Sequence, residues 1–245
     1  MKLRRLRLAT QFLTRLPVPA VDDFSPDDLS RSAAWFPFVG LVLGGVVALV
    51  LWLASYRAPT LGAAIALVTW VWLTGALHLD GLADLSDALA AAHHDQQRFF
   101  AVLADPHLGT FGVVSIVLVL ILKLTSLAHL TGLPLANPAA LPLLLAWARL
   151  GPLAWSRWLQ PLKAGHGERF AAHLPIGWIA FWTAALLVAS ALLAPTLCLA
   201  PLVILAWGAW LRWRLGGITG DCLGAGVEIT EVALLCALAL TASGT

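Results

Sequence analysis

Leu61-Gly-Ala-Ala-Ile-Ala-Leu-Val-Thr-Trp-Val-Trp-Leu-Thr-Gly-Ala-Leu77 carries no charge and runs straight into His78-Leu-Asp-Gly-Leu-Ala-Asp-Leu-Ser-Asp87. The first part reads as a helix inside a bilayer, where backbone polar groups must be bonded within the segment. In the second, Asp80, Asp84 and Asp87 are spaced by four and then three residues, which on a helix puts three carboxylates on one face. Like charges crowded at the edge of a membrane segment repel one another, and the simplest relief is a divalent cation. The alternative is a solvated acidic cap just past a transmembrane helix. Against it stand Gly81, which exposes backbone beside the first aspartate, and the lack of a basic residue within the motif. An all-oxygen ligand set favours Mg²⁺ over zinc, and such sites keep waters and recruit substrate phosphates.

The rest of the chain extends the membrane reading. Of its 245 residues 60% are hydrophobic and 11% charged, with a mean hydropathy of +0.86. A soluble domain carries roughly 25% charged residues, so a water-facing surface cannot be built from this inventory. Apolar segments lie near 33–55, 60–79, 109–131, 138–156, 176–194, 196–211 and 228–243. At about 20 apolar residues per crossing they predict an all-α, polytopic integral membrane helical bundle. About seven transmembrane helices are expected in a single domain spanning 1–245. The fourth segment is interrupted by Pro142 and Gly151, and only Ala194-Pro-Thr196 separates the fifth from the sixth.

Charge placement predicts orientation. With a cytoplasmic N-terminus, Lys2, Arg4, Arg5, Arg7, Arg15, Arg31, Arg98, Arg157, Lys163, Arg169, Arg212 and Arg214 fall on the inner side, and Arg57 alone falls outside. The same arrangement gathers the acidic residues, Glu168 included, at or near the cytoplasmic face, which is therefore the expected working face. Met1-Lys-Leu-Arg-Arg-Leu-Arg7 leads into Pro17 and Pro19 with no apolar core or cleavage site, so no cleavable signal is expected. Cys198, Cys222 and Cys236 are too few and too scattered for a disulfide framework or a zinc site. Nothing points to a nucleic-acid partner, and a homo-oligomer is neither required nor excluded.

A second constellation is Gly216-Gly-Ile-Thr-Gly-Asp-Cys-Leu-Gly-Ala-Gly-Val-Glu-Ile-Thr-Glu231. Its glycines, Gly220 among them, allow close approach to a ligand and can aim N–H groups at phosphate oxygens. Asp221 is a candidate fourth metal ligand. Glu228 and Glu231, three apart, share a face on what reads as the first turn of the final helix, and are candidate substrate contacts. The competing reading is a glycine-rich membrane turn followed by an acidic helix start that complements the dipole.

A third piece, Asp105-Pro-His-Leu-Gly-Thr-Phe-Gly112, leads into the third span, with Asp105 and Gly109 as candidate substrate contacts. Its plainer reading is a helix-entry loop with Pro106 and the glycines as breakers. Arg98 either contacts an anionic substrate or is an ordinary membrane-surface arginine. His78 on a continuous helix points away from the aspartate face. His93 and His94 read as loop residues. Lys123 and Arg149 fall inside spans, where a cation is costly unless paired, in a polar cavity or snorkelling, and no partner is identifiable from sequence. Trp155 and Trp158 read as members of an interfacial belt.

These motifs together resemble the cobalamin synthase (adenosylcobinamide-GDP ribazoletransferase) family. Phe12-Leu-Thr-Arg-Leu-Pro-Val-Pro19, Ser32-Ala-Ala-Trp-Phe-Pro-Phe-Val-Gly40, the stretch His78–Asp87, the stretch Asp105–Gly112 and the block Gly216–Glu231 occur in the family's order. Two positions depart from it: Ala88 replaces a usual glycine, and Ala104-Asp-Pro replaces a usual Lys-Asp-Ser, which passes any basic phosphate contact to Arg98. The resemblance implies a bacterial inner-membrane transferase acting on adenosylcobinamide-GDP. The 3′-hydroxyl of α-ribazole or its 5′-phosphate attacks the phosphorus nearer the cobinamide and GMP leaves. Asp80, Asp84, Asp87 and Asp221 would be the catalytic, Mg²⁺-holding residues, with Asp87 favoured as the base.

Two rivals use similar residues. A CDP-alcohol phosphotransferase requires Asp-Gly-x-x-Ala-Arg, but Asp84 and Leu85 occupy the last two positions. A membrane cation transporter would place its acids near the bilayer midplane, whereas these cluster toward one face.

Overall fold

The computed structural model describes residues 2–92, 95–131, 139–162 and 176–242. His93, His94, Lys163, Glu168 and Arg169, all assigned to loops by sequence, lie outside them. Helix α1 (Lys2–Leu13) buries Leu8, Ala9 and Leu13 and leaves its basic face outward. Just beyond it the Arg15 N–H donates to the Leu73 carbonyl at 2.7 Å. Helix α2 (Pro26–Ser32) starts at a capping box: the Ser25 hydroxyl accepts from the Asp28 N–H at 3.1 Å, and the Asp28 carboxylate accepts from the Ser25 N–H. A short 3₁₀ turn then leads into α3 (Phe36–Ser55), and α4 (Pro59–Thr74) returns beside it.

The apolar run that opens the motif does not continue into it as one helix. Helix α4 stops at Thr74, where the Gly75 N–H donates to Trp72 and the Ala76 N–H to Val71, a Schellman closure of the last turn. Gly75 and Ala76 both have positive φ, 61° and 59°. For the alanine this costs roughly 1–2 kcal/mol, which the surrounding packing must hold in place. Helix α5 (Leu77–Ala92) departs at an 84° bend, so the single expected span 60–79 is a broken pair and the acids ride on a separate helix.

The remaining helices are α6 (Gln96–Leu103), α7 (Thr110–Thr131), α8 (Ala140–Trp158), α9 (Ile176–Leu193), α10 (Ala200–Arg214) and α11 (Gly220–Ala242). Helix α8 is the axis of the bundle, buried at every residue from Leu143 to Gly151. Helix α3 packs onto it through Gly40 and Gly44, where a Cβ would lie 2.5 Å from the Leu145 and Leu141 carbonyls, the small-residue contact that membrane helices favour. Trp155, expected in an interfacial belt, is instead a core residue whose indole N–H donates to Ile204 at 2.8 Å. Trp158 is exposed.

Trp52, Val68, Leu192 and Leu240 turn outward, and α9 buries only Leu186 and Ser190, as expected where lipid replaces water. The protein is an all-α polytopic membrane bundle. Among the described residues five helical segments are long and apolar enough to cross a membrane, and the bent α4–α5 pair makes a sixth, against seven expected. The difference lies in α8, which carries Arg149, Arg157 and an internal Pro152.

Candidate active site

Two helices far apart in sequence meet at a pair of glycines. A Cβ on Gly81 would lie 3.1 Å from the Asp221 Cα, and one on Gly224 would lie 3.5 Å from the Gly81 Cα. Gly81 is therefore a packing contact rather than the exposed backbone expected from sequence. The contact brings Asp221, in the first turn of α11, against the acidic face of α5. Asp84 feels the charges of Asp80, Asp221 and Asp87, in that order. Asp80 is exposed, while Asp84, Asp87 and Asp221 are half-buried. The Thr219 hydroxyl donates to Asp221 at 3.3 Å. The turn before α11 is pinned to the end of α8: the Ile218 N–H donates to Gln160 at 2.9 Å and its carbonyl accepts from Leu162 at 2.8 Å.

Asp87 has a different setting from its neighbours. One oxygen accepts the Gly109 N–H at 2.7 Å and the other the Gly112 N–H at 2.9 Å, so the carboxylate caps the start of α7, where the helix dipole favours an anion. A Cβ on Gly109 would come within 2.5 Å of that carboxylate, and one on Gly112 within 2.4 Å. Gly109, expected to touch substrate, thus gives its N–H to Asp87. Asp87, expected to act as the base, has both of its oxygens engaged by these two N–H groups. Asp105 is exposed in the preceding loop; the His107 backbone N–H at 3.0 Å, and then the ring nitrogen at 2.6 Å, hold its carboxyl below the usual carboxylate range. Arg98 is exposed on α6.

A cavity of about 230 Å³ opens beside the aspartates. Phe12, Phe36, Leu77, Pro152, Leu153 and Val227 supply apolar wall, and Gly220, Asp80 and Asp221 lie on its polar side. His78 also belongs to its lining, on the helix that packs against α11. It is only 5% exposed, and its Nδ1 has no hydrogen-bond partner. The sequence held no signal for this beyond the residue itself.

Glu228 and Glu231 are not at a helix start. Helix α11 begins at Gly220, so they sit further along it, buried and away from the surface. The Lys123 ammonium donates to Glu228 at 2.7 Å and also to Glu231, and the Arg149 guanidinium donates to Glu231. Lys123 also lies 4.5 Å from the centre of the Trp70 ring. Two cations and two anions thus tie α7, α8 and α11 together in the interior. Glu228 and Glu231, expected to contact substrate, are thus buried and paired with these two cations.

The sequence profile of the family described as Cobalamin-5-phosphate synthase matches residues 5–239. The chain belongs to that family. Similar relatives named adenosylcobinamide-GDP ribazoletransferase include one from Novosphingobium aromaticivorans, 49% identical over 98% of this chain and 97% of its own length. Another, from Thiobacillus denitrificans, is 49% identical over 95% of this chain and 94% of its own. A third, from Pseudomonas aeruginosa, is 42% identical over 97% and 98%. No solved structure matches the chain. For this family member, the all-oxygen donors Asp80, Asp84, Asp87 and Asp221 have the chemistry Mg²⁺ prefers. Among the described residues no three such side chains yet converge on one point, so the fit is one of donor type and backbone placement; side-chain rotation would have to close it.

Proposed function

We propose that the chain is an adenosylcobinamide-GDP ribazoletransferase of the bacterial cytoplasmic membrane, working at the cytoplasmic face with its N-terminus inside. The full-length likeness to relatives of that name carries the reading. The asymmetry of basic residues supports the orientation. In the proposed reaction the 3′-hydroxyl oxygen of α-ribazole, or of its 5′-phosphate, forms a bond to the phosphorus nearer the cobinamide. The bond from that phosphorus to the bridging oxygen breaks, and GMP leaves with the electron pair.

The residues have separate tasks in this reading. Asp80 and Asp84 on α5, with Asp221 brought beside them by the α5–α11 contact, are the groups proposed to receive the hydroxyl proton and to hold Mg²⁺, with Asp87 fixing α5 against α7. Bound Mg²⁺ would supply neutralisation of charge building on the phosphate oxygens. Among the described residues the fully buried carboxylates, Glu228 and Glu231, are paired with Lys123 and Arg149, which leaves neither open to a transported cation and favours the transferase over the transporter. Incubating purified protein with adenosylcobinamide-GDP, α-ribazole and Mg²⁺ should yield GMP and a cobalamin in equal amounts. Folded protein that yields neither would refute the proposal.

A further inference from the structure

Phe12-Leu-Thr-Arg-Leu-Pro-Val-Pro19 holds no acidic residue, yet the chain folds it onto the joint from which the acidic helix projects. Helix α1 ends there. Phe12 stacks on Phe36 of α3 with ring centres 5.9 Å apart and 8° between planes, which anchors that end to the bundle. Thr14 then fixes the exit, its hydroxyl donating to the Thr10 carbonyl at 2.7 Å and accepting the Leu16 N–H at 3.1 Å. The backbone on both sides of Arg15 is thereby held.

Arg15 lies across the end of α4. Its N–H donates to the Leu73 carbonyl at 2.7 Å, a last-turn acceptor that α4 itself leaves without a partner. Its side chain covers Gly75, where a Cβ would come 2.5 Å from the Arg15 Nε and 3.2 Å from its Cγ and Cδ. The residue stays exposed, so its charge keeps its water while standing at the negative end of the α4 dipole.

Beneath this clamp is the strained turn, with Gly75 at φ 61° and Ala76 at φ 59°. The Ala76 carbonyl accepts the Asp80 N–H at 2.9 Å, so the turn is bonded directly to the first of the acidic residues. Phe12 and Leu13 also share the cavity lining with Leu77 and Asp80. Asp84 stands eight residues beyond Ala76, about 12 Å along the helix, so a tilt of about 5° at the turn moves it about 1 Å. A misplacement of that size is enough to cost a large part of a reaction's rate.

We propose that Arg15 is a positioning residue for the transfer: it clamps the Gly75–Ala76 turn and so sets the place of Asp80 and Asp84 against Asp221. The inference rests on the transferase reading for the reaction it serves. The test pairs kinetics with hydrogen exchange, read by mass spectrometry, on full-length protein in lipid nanodiscs. Arg15→Ala should speed exchange in peptides covering residues 76–85 about tenfold or more, with peptides from α8 unchanged. It should lower kcat about tenfold or more, with KM for adenosylcobinamide-GDP and for α-ribazole within about twofold of wild type. Arg15→Lys, which keeps the stem and the charge, should restore both exchange and kcat. Gly75→Ala drives a Cβ into the Arg15 side chain and should copy both effects, but should add less to Arg15→Ala, where that space is open.

Lowered kcat with exchange near Asp80 unchanged, or a raised KM for adenosylcobinamide-GDP, would make Arg15 a substrate contact and overturn the positioning role, with the transferase left standing. Faster local exchange at wild-type kcat, or exchange that rises equally in α8, would overturn it as well. Faster exchange confined to residues 76–85 and reversed by lysine, in a protein whose wild type makes no cobalamin, would support the clamp while the transferase reading fails. Should Arg15→Ala fail to fold, Gly75→Ala decides, and wild-type exchange and kcat in that variant would overturn the proposal.

Discussion

Replacing Lys123 with methionine keeps the length of the side chain and removes its charge from a sealed interior. In the native arrangement Lys123 and Arg149 balance Glu228 and Glu231, and all four are at most 4% exposed. The variant leaves one carboxylate in excess with no water to stabilise it. Breaking a buried pair from one side costs about 3–5 kcal/mol, whereas removing both partners together is often close to neutral. Lys123→Met/Glu228→Gln leaves Arg149 and Glu231 as a neutral pair, so the double variant should recover most of the loss, and the cycle should give a coupling of about 2–4 kcal/mol. For a chain of this size the single variant should lower the unfolding midpoint by on the order of 10 °C. Thermal unfolding of the four proteins in one detergent measures the cycle. A double variant no more stable than Lys123→Met would refute the charge-balance argument.

Asp80→Asn and Asp84→Asn should each lower turnover by at least about a hundredfold with little loss of stability, because each removes repulsion as well as function; product assays and unfolding midpoints check both. Asp221→Ala should raise the Mg²⁺ concentration needed for half-maximal rate and be non-additive with Asp84→Ala, whereas additive losses would separate Asp221 from the centre. Gly112→Ala puts a Cβ 2.4 Å from the Asp87 carboxylate, so it should lower kcat by displacing the α5–α7 clasp, as Asp87→Asn does; activity equal to wild type would count against that clasp. Cysteine labelling should find positions 95 and 220 accessible from the cytoplasm and position 57 from outside, and a reversed result at 220 would remove Asp221 from the working face.

The membrane class and the acidic face were legible because hydropathy and a four-then-three spacing are local properties. The break after Thr74 was not. Gly75 is a usual helix terminator, but Ala76 at positive φ has no signature in residue type, and α5, which the turn releases, packs on a helix far away in sequence. The start of the last helix was misplaced for a related reason. Glycines at 220, 224 and 226 read as loop because each weakens an isolated helix, yet a Cβ at Gly226 would lie within 2.5 Å of Trp155, so neighbouring side chains claim the space left empty. Lys123 and Glu228 lie 105 positions apart, a pairing that no pattern within one segment reveals. Asp221 could be nominated from sequence, but its meeting with α5 depends on the Gly81–Gly224 approach.

The interior ion set also orders events during synthesis. Lys123 and Arg149 belong to α7 and α8, whereas both of their anionic partners belong to α11, which leaves the ribosome after them. Until that helix arrives, the nascent protein holds two cations in a lipid environment with nothing to match them, a state that keeps α7 and α8 from settling. A chain interrupted before residue 220 would retain that mismatch permanently. Arrival of α11 ends it and, in the same step, carries Asp221 to the acidic helix, so that one segment both neutralises the interior and completes the cluster of carboxylates.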